Sequence, residues 1–354
     1  MKKVNSNFVF TENCRIYSTN KFLENHGVDT TSQNIFLIFF KNFFMFSKVP
    51  VKNIPLIFLN CFYEFPEERM FNKVNFAFRK TRVKNKFILH HIVKKYGYCY
   101  ALTQLTMTDE SYNKTVALCS SVVLKNISNN KALIEYKRLE TNEELITIQE
   151  FNKKRTHFML PTNPDGIMYY GKKLHAEYKL SFQEFHNEFS NIVHESISSN
   201  DFVTNTNCYA YTGIKAIKEL TKFLNELVDL LKKSENEISF EKHRKYTILC
   251  LRTLRDSIIQ GTYSFYRFEI VDVIQSFIIK EDQNSNLIKA YKEFADKEQV
   301  FGTEYMRLAS RIGKIERETH NKEEFLTYVE EIVNVLIKTL NNEKEAIEKL
   351  SKSI

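Results

Sequence analysis

Two stretches of the chain carry residue types whose spacing could do chemistry, and a third imitates one that does. The first is Ala132-Leu133-Ile134-Glu135-Tyr136-Lys137, an apolar run ending in Glu-x-Lys. On a strand, residues two apart share a face, so Glu135 and Lys137 would stand side by side. The carboxylate could then ligate a metal while the ammonium sits beside an attacking water. That is the layout of a divalent-metal nuclease, in which the cation lowers the pKa of bound water. Asp109 is the candidate second carboxylate, with Glu110, Glu144 and Glu150 as other options. Mg²⁺ is the cofactor in that reading, and no cofactor is expected otherwise. A cross-strand surface ion pair would use the same residues without any catalysis.

The second stretch is Arg79-Lys80-Thr81-Arg82-Val83-Lys84-Asn85-Lys86. If it is extended, Lys80, Arg82, Lys84 and Lys86 fall on one side, about 7 Å between neighbours. Arg79 precedes this stripe, and Lys94 and Lys95 follow it. Cations at that spacing suit phosphates, and the nearby Phe71, Phe76, Phe78, Tyr96, Tyr98 and Tyr100 could stack on bases. Lys153, Lys154, Arg155, Lys172 and Lys173 add to the cation density. An edge strand also carries lysines simply to prevent sheet-to-sheet pairing.

The imitation is Gly166-Ile167-Met168-Tyr169-Tyr170-Gly171-Lys172, which fits G-x-x-x-x-G-K. A phosphate loop needs small residues and a closing Ser or Thr for magnesium. Here the middle is bulky and Lys173 takes the closing position, so the match is rejected. His90 and His91 would point to opposite faces of a strand. No H-E-x-x-H exists, and none of the six cysteines (Cys14, Cys61, Cys99, Cys119, Cys208, Cys250) forms a C-x-x-C pair. Zinc and dithiol chemistry are therefore not expected. Apolar surroundings suggest buried thiols in a reducing, cytoplasmic setting.

Charge is distributed unevenly. Residues 1–180 hold 27 Lys+Arg against 15 Asp+Glu, a balance of +12, so the remaining residues carry −4 of the total +8. The abundance of Lys, Asn, Ile and Phe without Trp suggests AT-rich coding. Such a bias raises lysine everywhere and does not predict the split, which points to a polyanionic partner. The N-terminal residues Met1 to Asn7 lack a signal-peptide core, and no apolar run approaches the roughly 20 residues needed to span a bilayer.

The elements that must position these residues read as α+β. Strands are expected at 86–93, 98–107, 115–125 and 131–138, joined by short polar connections and so antiparallel. A helix is expected over 143–153. Pro161-Thr162-Asn163-Pro164-Asp165-Gly166 breaks the pattern, giving a basic β-rich domain over 1–166 and an acidic helical domain over 167–354. Ser181-Phe182-Gln183-Glu184 has a capping-box pattern, and seven or eight helices follow, including separate ones at 287–294, 305–315, 325–340 and 343–352. The leading expectation is nucleic-acid binding, DNA or RNA, by the basic aromatic-rich sheet, with helices for self-association into a homo-oligomer or for regulation. The alternatives are the Glu135/Lys137 nuclease and a protein-interaction factor that docks on an acidic partner.

Overall fold

The strands expected from alternation over 98–107, 115–125 and 131–138 are present as antiparallel strands at Cys99–Asp109, Lys114–Ser128 and Lys131–Lys137, while the neighbouring segments obey a different period. A computed structural model describes residues 14–28, 43–51, 54–59, 66–109, 114–137, 141–155, 166–174, 181–198, 201–203, 209–259, 263–319 and 321–354. In chain order, the first part of the chain gives α1 (Cys14–Glu24), β1 (Met45–Val51), β2 (Ile54–Phe58), α2 (Pro66–Lys73), β3 (Phe76–Thr81), α3 (Lys86–Tyr96), β4 (Cys99–Asp109) and β5 (Lys114–Ser128). Then come β6 (Lys131–Lys137), β7 (Thr141–Thr147), α4 (Ile148–Lys154), β8 (Met168–Lys173), α5 (Phe182–Ile197), β9 (Asp201–Val203) and β10 (Tyr209–Thr212). Helices α6 (Gly213–Lys232), α7 (Glu237–Ile259), α8 (Tyr263–Ile278), α9 (Asn286–Glu318) and α10 (Lys322–Ser351) complete the chain. The layout is α+β, an antiparallel sheet in the first half and mostly helices after residue 182.

The chain divides into two compact units, residues 1–40 with 63–180, and residues 41–62 with 181–354. In the first, six antiparallel strands run in the order β3-β8-β4-β5-β6-β7. Cys99, Ala101, Val122, Leu124, Ile134 and Met168 supply one face, and Leu89, Ile92 and Val93 of α3 with Ile148 and Phe151 of α4 close over it in one buried core. The opposite face packs on α1 and α2. Phe22 meets Phe76 at 5.2 Å between ring centroids, and Phe71 meets Tyr169 at 5.6 Å. Buried Arg15 pairs with buried Glu67 at 2.5 and 2.9 Å, and the Tyr100 hydroxyl donates to the same carboxylate at 2.6 Å.

Several local expectations are overturned. Residues 86–93 form a helix, because Leu89, Ile92 and Val93 recur at helical spacing and meet the sheet as one stripe. The cationic strand consequently ends at Thr81, and 82–85 is a connection. Residues 141–147 form a strand, not the start of a helix, since β7 pairs along its whole length with β6. Thr147 then caps α4, its hydroxyl accepting from Glu150 N at 3.1 Å. The rejected glycine motif is strand β8. A Cβ on Gly171 would lie 2.2 Å from the carbonyl oxygen of Ala77, so close strand approach explains this glycine. Residues 161–165 of the proline-rich breaker, together with Glu110, Cys61 and Cys208, lie outside the described residues.

In the second unit, a hairpin drawn from residues 45–58 joins the order β2-β1-β10-β9. Ser181 and Glu184 form the capping box as expected. The pairs of helices expected at 287–315 and 325–352 are two continuous helices, of 33 and 30 residues. Inside this unit Arg267 donates to Glu343 at 2.8 and 2.5 Å, and Tyr305 donates to the same carboxylate at 2.6 Å. Fully buried Glu298 lies 3.9 Å from Arg267 Nε, and neither of its oxygens has a hydrogen bond. Cys99 and Cys250 are buried free thiols, each pushed up to about 12 by burial. No described helix is long and apolar enough to cross a membrane.

Candidate functional site

Helix α3 owes its position to the two residues that bracket it. The Asn85 side-chain oxygen accepts from the amides of Phe87 at 2.9 Å and Ile88 at 3.4 Å, satisfying donors that a helix start leaves open. At the other end Gly97 takes φ 77° and returns its amide to Val93 O at 2.8 Å, a conformation that glycine adopts without Cβ strain. With Leu89, Ile92 and Val93 buried, the helical advance of about 100° per residue turns Phe87, His91 and Lys94 to the opposite side. Lys84, Lys86, Lys94, Lys95 and His91 are all exposed. Phe87 is 73% exposed and Ile88 47%. The Lys86 ammonium lies 5.2 Å from the Phe87 ring centroid, and that of Lys95 lies 5.4 Å from the ring of Tyr96. His90 is drawn aside, its Nδ1 bonded to Ile127 O at 3.1 Å.

The connection before α3 is fixed from below by Arg155, which sequence reasoning counted among the surface cations but which is fully buried. Its Nη2 donates to Val83 O at 2.6 Å and to Asn152 Oδ1 at 2.8 Å, and its Nη1 donates to Gly166 O at 3.2 Å. Asn152 in turn donates to Lys84 O at 2.8 Å. The guanidinium stands over the Phe151 ring at 5.1 Å. Burial pulls its pKa down to about 10, which leaves it charged at neutral pH. Arg155 therefore holds the backbone that presents Arg82 and Lys84.

The other expected contact residues part company. Lys80 lies on the α2 side of the sheet with Phe76 and Phe78, and its ammonium donates to both oxygens of Glu68 at 2.8 and 3.1 Å. Arg79 is exposed on the other face, opposite Tyr170 in register. The stripe of Lys80, Arg82, Lys84 and Lys86 on one strand face does not form, because the strand stops and a helix begins. Of the aromatics expected to stack on bases, Phe71, Phe76 and Tyr100 are buried in the core. Phe78, Tyr96 and Tyr98 are half-buried. Phe87 was missed, having been assigned to a strand at 86–93. One signal could have found the surface: residues 69–108 contain nine Lys or Arg and no Asp or Glu.

Glu135 sits on β6, 3% exposed, on the face that α1 covers. It accepts from the Tyr17 hydroxyl at 2.7 Å and from Lys125 at 3.0 Å, and Lys125 also donates to Glu143, the cross-strand partner of Glu135, at 2.5 Å. Burial raises the Glu135 pKa, but the bonds from Tyr17 and Lys125 outweigh that and leave it lowered. Burial also pushes Tyr17 up to about 12. Lys137 is the last residue of β6, and its side chain lies outside the described residues. Asp109 is not brought near. Register sets Tyr100 level with Glu135 through Val123, and Asp109 is nine residues further along β4, about 30 Å at 3.3 Å per residue. No group of three or more His, Cys, Asp or Glu among the described residues is gathered tightly enough to hold a metal ion. No protein-family model matches the chain, and no curated protein matches it in sequence.

Proposed function

We propose that the protein binds nucleic acid through the outer side of α3 and the 82–85 connection. One observation carries the reading: Arg82, Lys84, Lys86, Lys94 and Lys95 are exposed along a single helix and its lead-in, in a segment with no acidic residue. Phosphate oxygens are the complementary ligand, since neutralising them releases condensed counterions. The cation-bearing element is a helix and its lead-in, not the sheet face inferred from alternation. The nuclease alternative lacks comparable support, because both oxygens of Glu135 are already held by Tyr17 and Lys125.

The test is fluorescence anisotropy of labelled 20-nucleotide strands and of the corresponding duplex at several salt concentrations. Affinity that falls steeply as salt rises is the expected result. Absence of binding at low salt, or binding indifferent to salt, removes the proposal.

A further inference from the structure

We infer that the α3 surface takes single-stranded nucleic acid in preference to duplex, with Phe87 as the residue on which a base stacks. This rests on the nucleic-acid reading above and adds the strandedness of the ligand. Phe87 is 73% exposed at the first turn of a helix that buries Leu89, Ile92 and Val93, and it is more exposed than its neighbour Ile88, at 47%. Burying a phenylalanine is worth roughly 1.5–3 kcal/mol, and folding forgoes most of that here. The ring stands among cations: Lys86 lies 5.2 Å from its centroid, and Lys84, Lys94 and Lys95 are exposed on the same helix and its lead-in.

Helical geometry supplies a second flat ring. His91 is four residues on, about 6 Å along the axis and on the same exposed side, so the two rings can serve a strand as successive flat surfaces. Lys94 continues that line about 10 Å from Phe87. A platform of flat side chains flanked by ammonium groups fits unstacked bases joined by phosphates. In a duplex the base faces are already stacked on one another, so Phe87 gains nothing there and only the phosphate contacts remain. The Phe87 and Ile88 amides are already taken up by the Asn85 side chain, so side chains and not the helix start make the proposed contacts. The cationic surroundings also argue for a polyanion over a neutral apolar partner.

The experiment compares dT20 and rU20 with a 20-base-pair duplex for wild type, Phe87→Ala and Phe87→Tyr at one salt concentration. Vesicles containing anionic phosphatidylserine serve as a further probe. The expected result is weaker single-strand binding in Phe87→Ala, by about 5- to 160-fold for one stacked base. Phe87→Tyr should restore it, and duplex affinity should stay the same in all three proteins. Circular dichroism confirms the fold, since an exposed side chain contributes little to stability. Equal loss on duplex and single strand, or no loss on either, overturns the stacking inference while nucleic-acid binding stands. Binding to vesicles with none to any oligonucleotide overturns both.

Discussion

Replacing Lys84, Lys86, Lys94 and Lys95 together by Gln tests the cationic surface directly. All four are exposed, none belongs to the buried stripe of α3, and Gln removes the charge while keeping a polar side chain. If each lysine neutralises one phosphate, single-strand binding loses about 0.7 log units of affinity per log unit of salt for each contact. Four contacts therefore contribute a slope of about −2.8, which between about 50 and 200 mM salt is a roughly 50-fold fall in affinity. The quadruple variant should lose that part of the slope and keep only what Arg79, Arg82 and other cations supply. Anisotropy titrations at four or five salt concentrations give both slopes, and thermal melts should be nearly superimposable because exposed substitutions shift stability little. A variant slope within about one unit of wild type would refute the reasoning, since four lost counterion-releasing contacts cannot leave it there.

Other outcomes follow from single residues. Asn85→Ala removes the side-chain acceptor for the Phe87 and Ile88 amides, and urea unfolding should show a loss of about 1 kcal/mol. Gly171→Ala places a methyl against the Ala77 carbonyl, a backbone atom that yields only if β3 and β8 separate; a destabilisation of roughly 1–3 kcal/mol or more is expected in the same assay. Burial, reinforced by the neighbouring Glu343, holds the Glu298 pKa well above the usual carboxyl range, with Arg267 only partly offsetting this. Its favourable share is fully present below the unfolded value of about 4.3 and is lost as pH rises through the raised folded value, so stability should decline with rising pH across that window. Glu298→Gln should flatten this decline and melt higher than wild type at neutral pH; a melt lower than wild type there would count against a buried carboxyl with no hydrogen bond. Glu135→Gln weakens the bonds to Tyr17 and Lys125 and should cost about 1.5–3 kcal/mol, measured by denaturant unfolding.

The period-two pattern over 98–107, 115–125 and 131–138 was enough to establish an antiparallel sheet, because alternation and short polar connections are local properties. The helical second half was equally legible from stripes such as Ile217, Leu220, Leu224, Leu227 and Leu231, all buried on α6. The charge split was legible too, and so was the capping box at Ser181. Apolar runs without a clear period were not. Phe87-Ile88-Leu89 reads as strand or helix until a sheet is available to bury Leu89, Ile92 and Val93, and that sheet draws on residues as distant in the chain as Met168. The same limit applies to individual side chains. Arg155 and Lys84 look alike as cations in sequence, yet one is buried under Val83 O and Gly166 O while the other faces solvent. Glu135 and Asp109 look like a pair until strand register separates them. Sequence determined the layout and the net positive character of the first half, whereas only tertiary packing decided which charges reach the surface, because exposure depends on contacts between segments far apart in the chain.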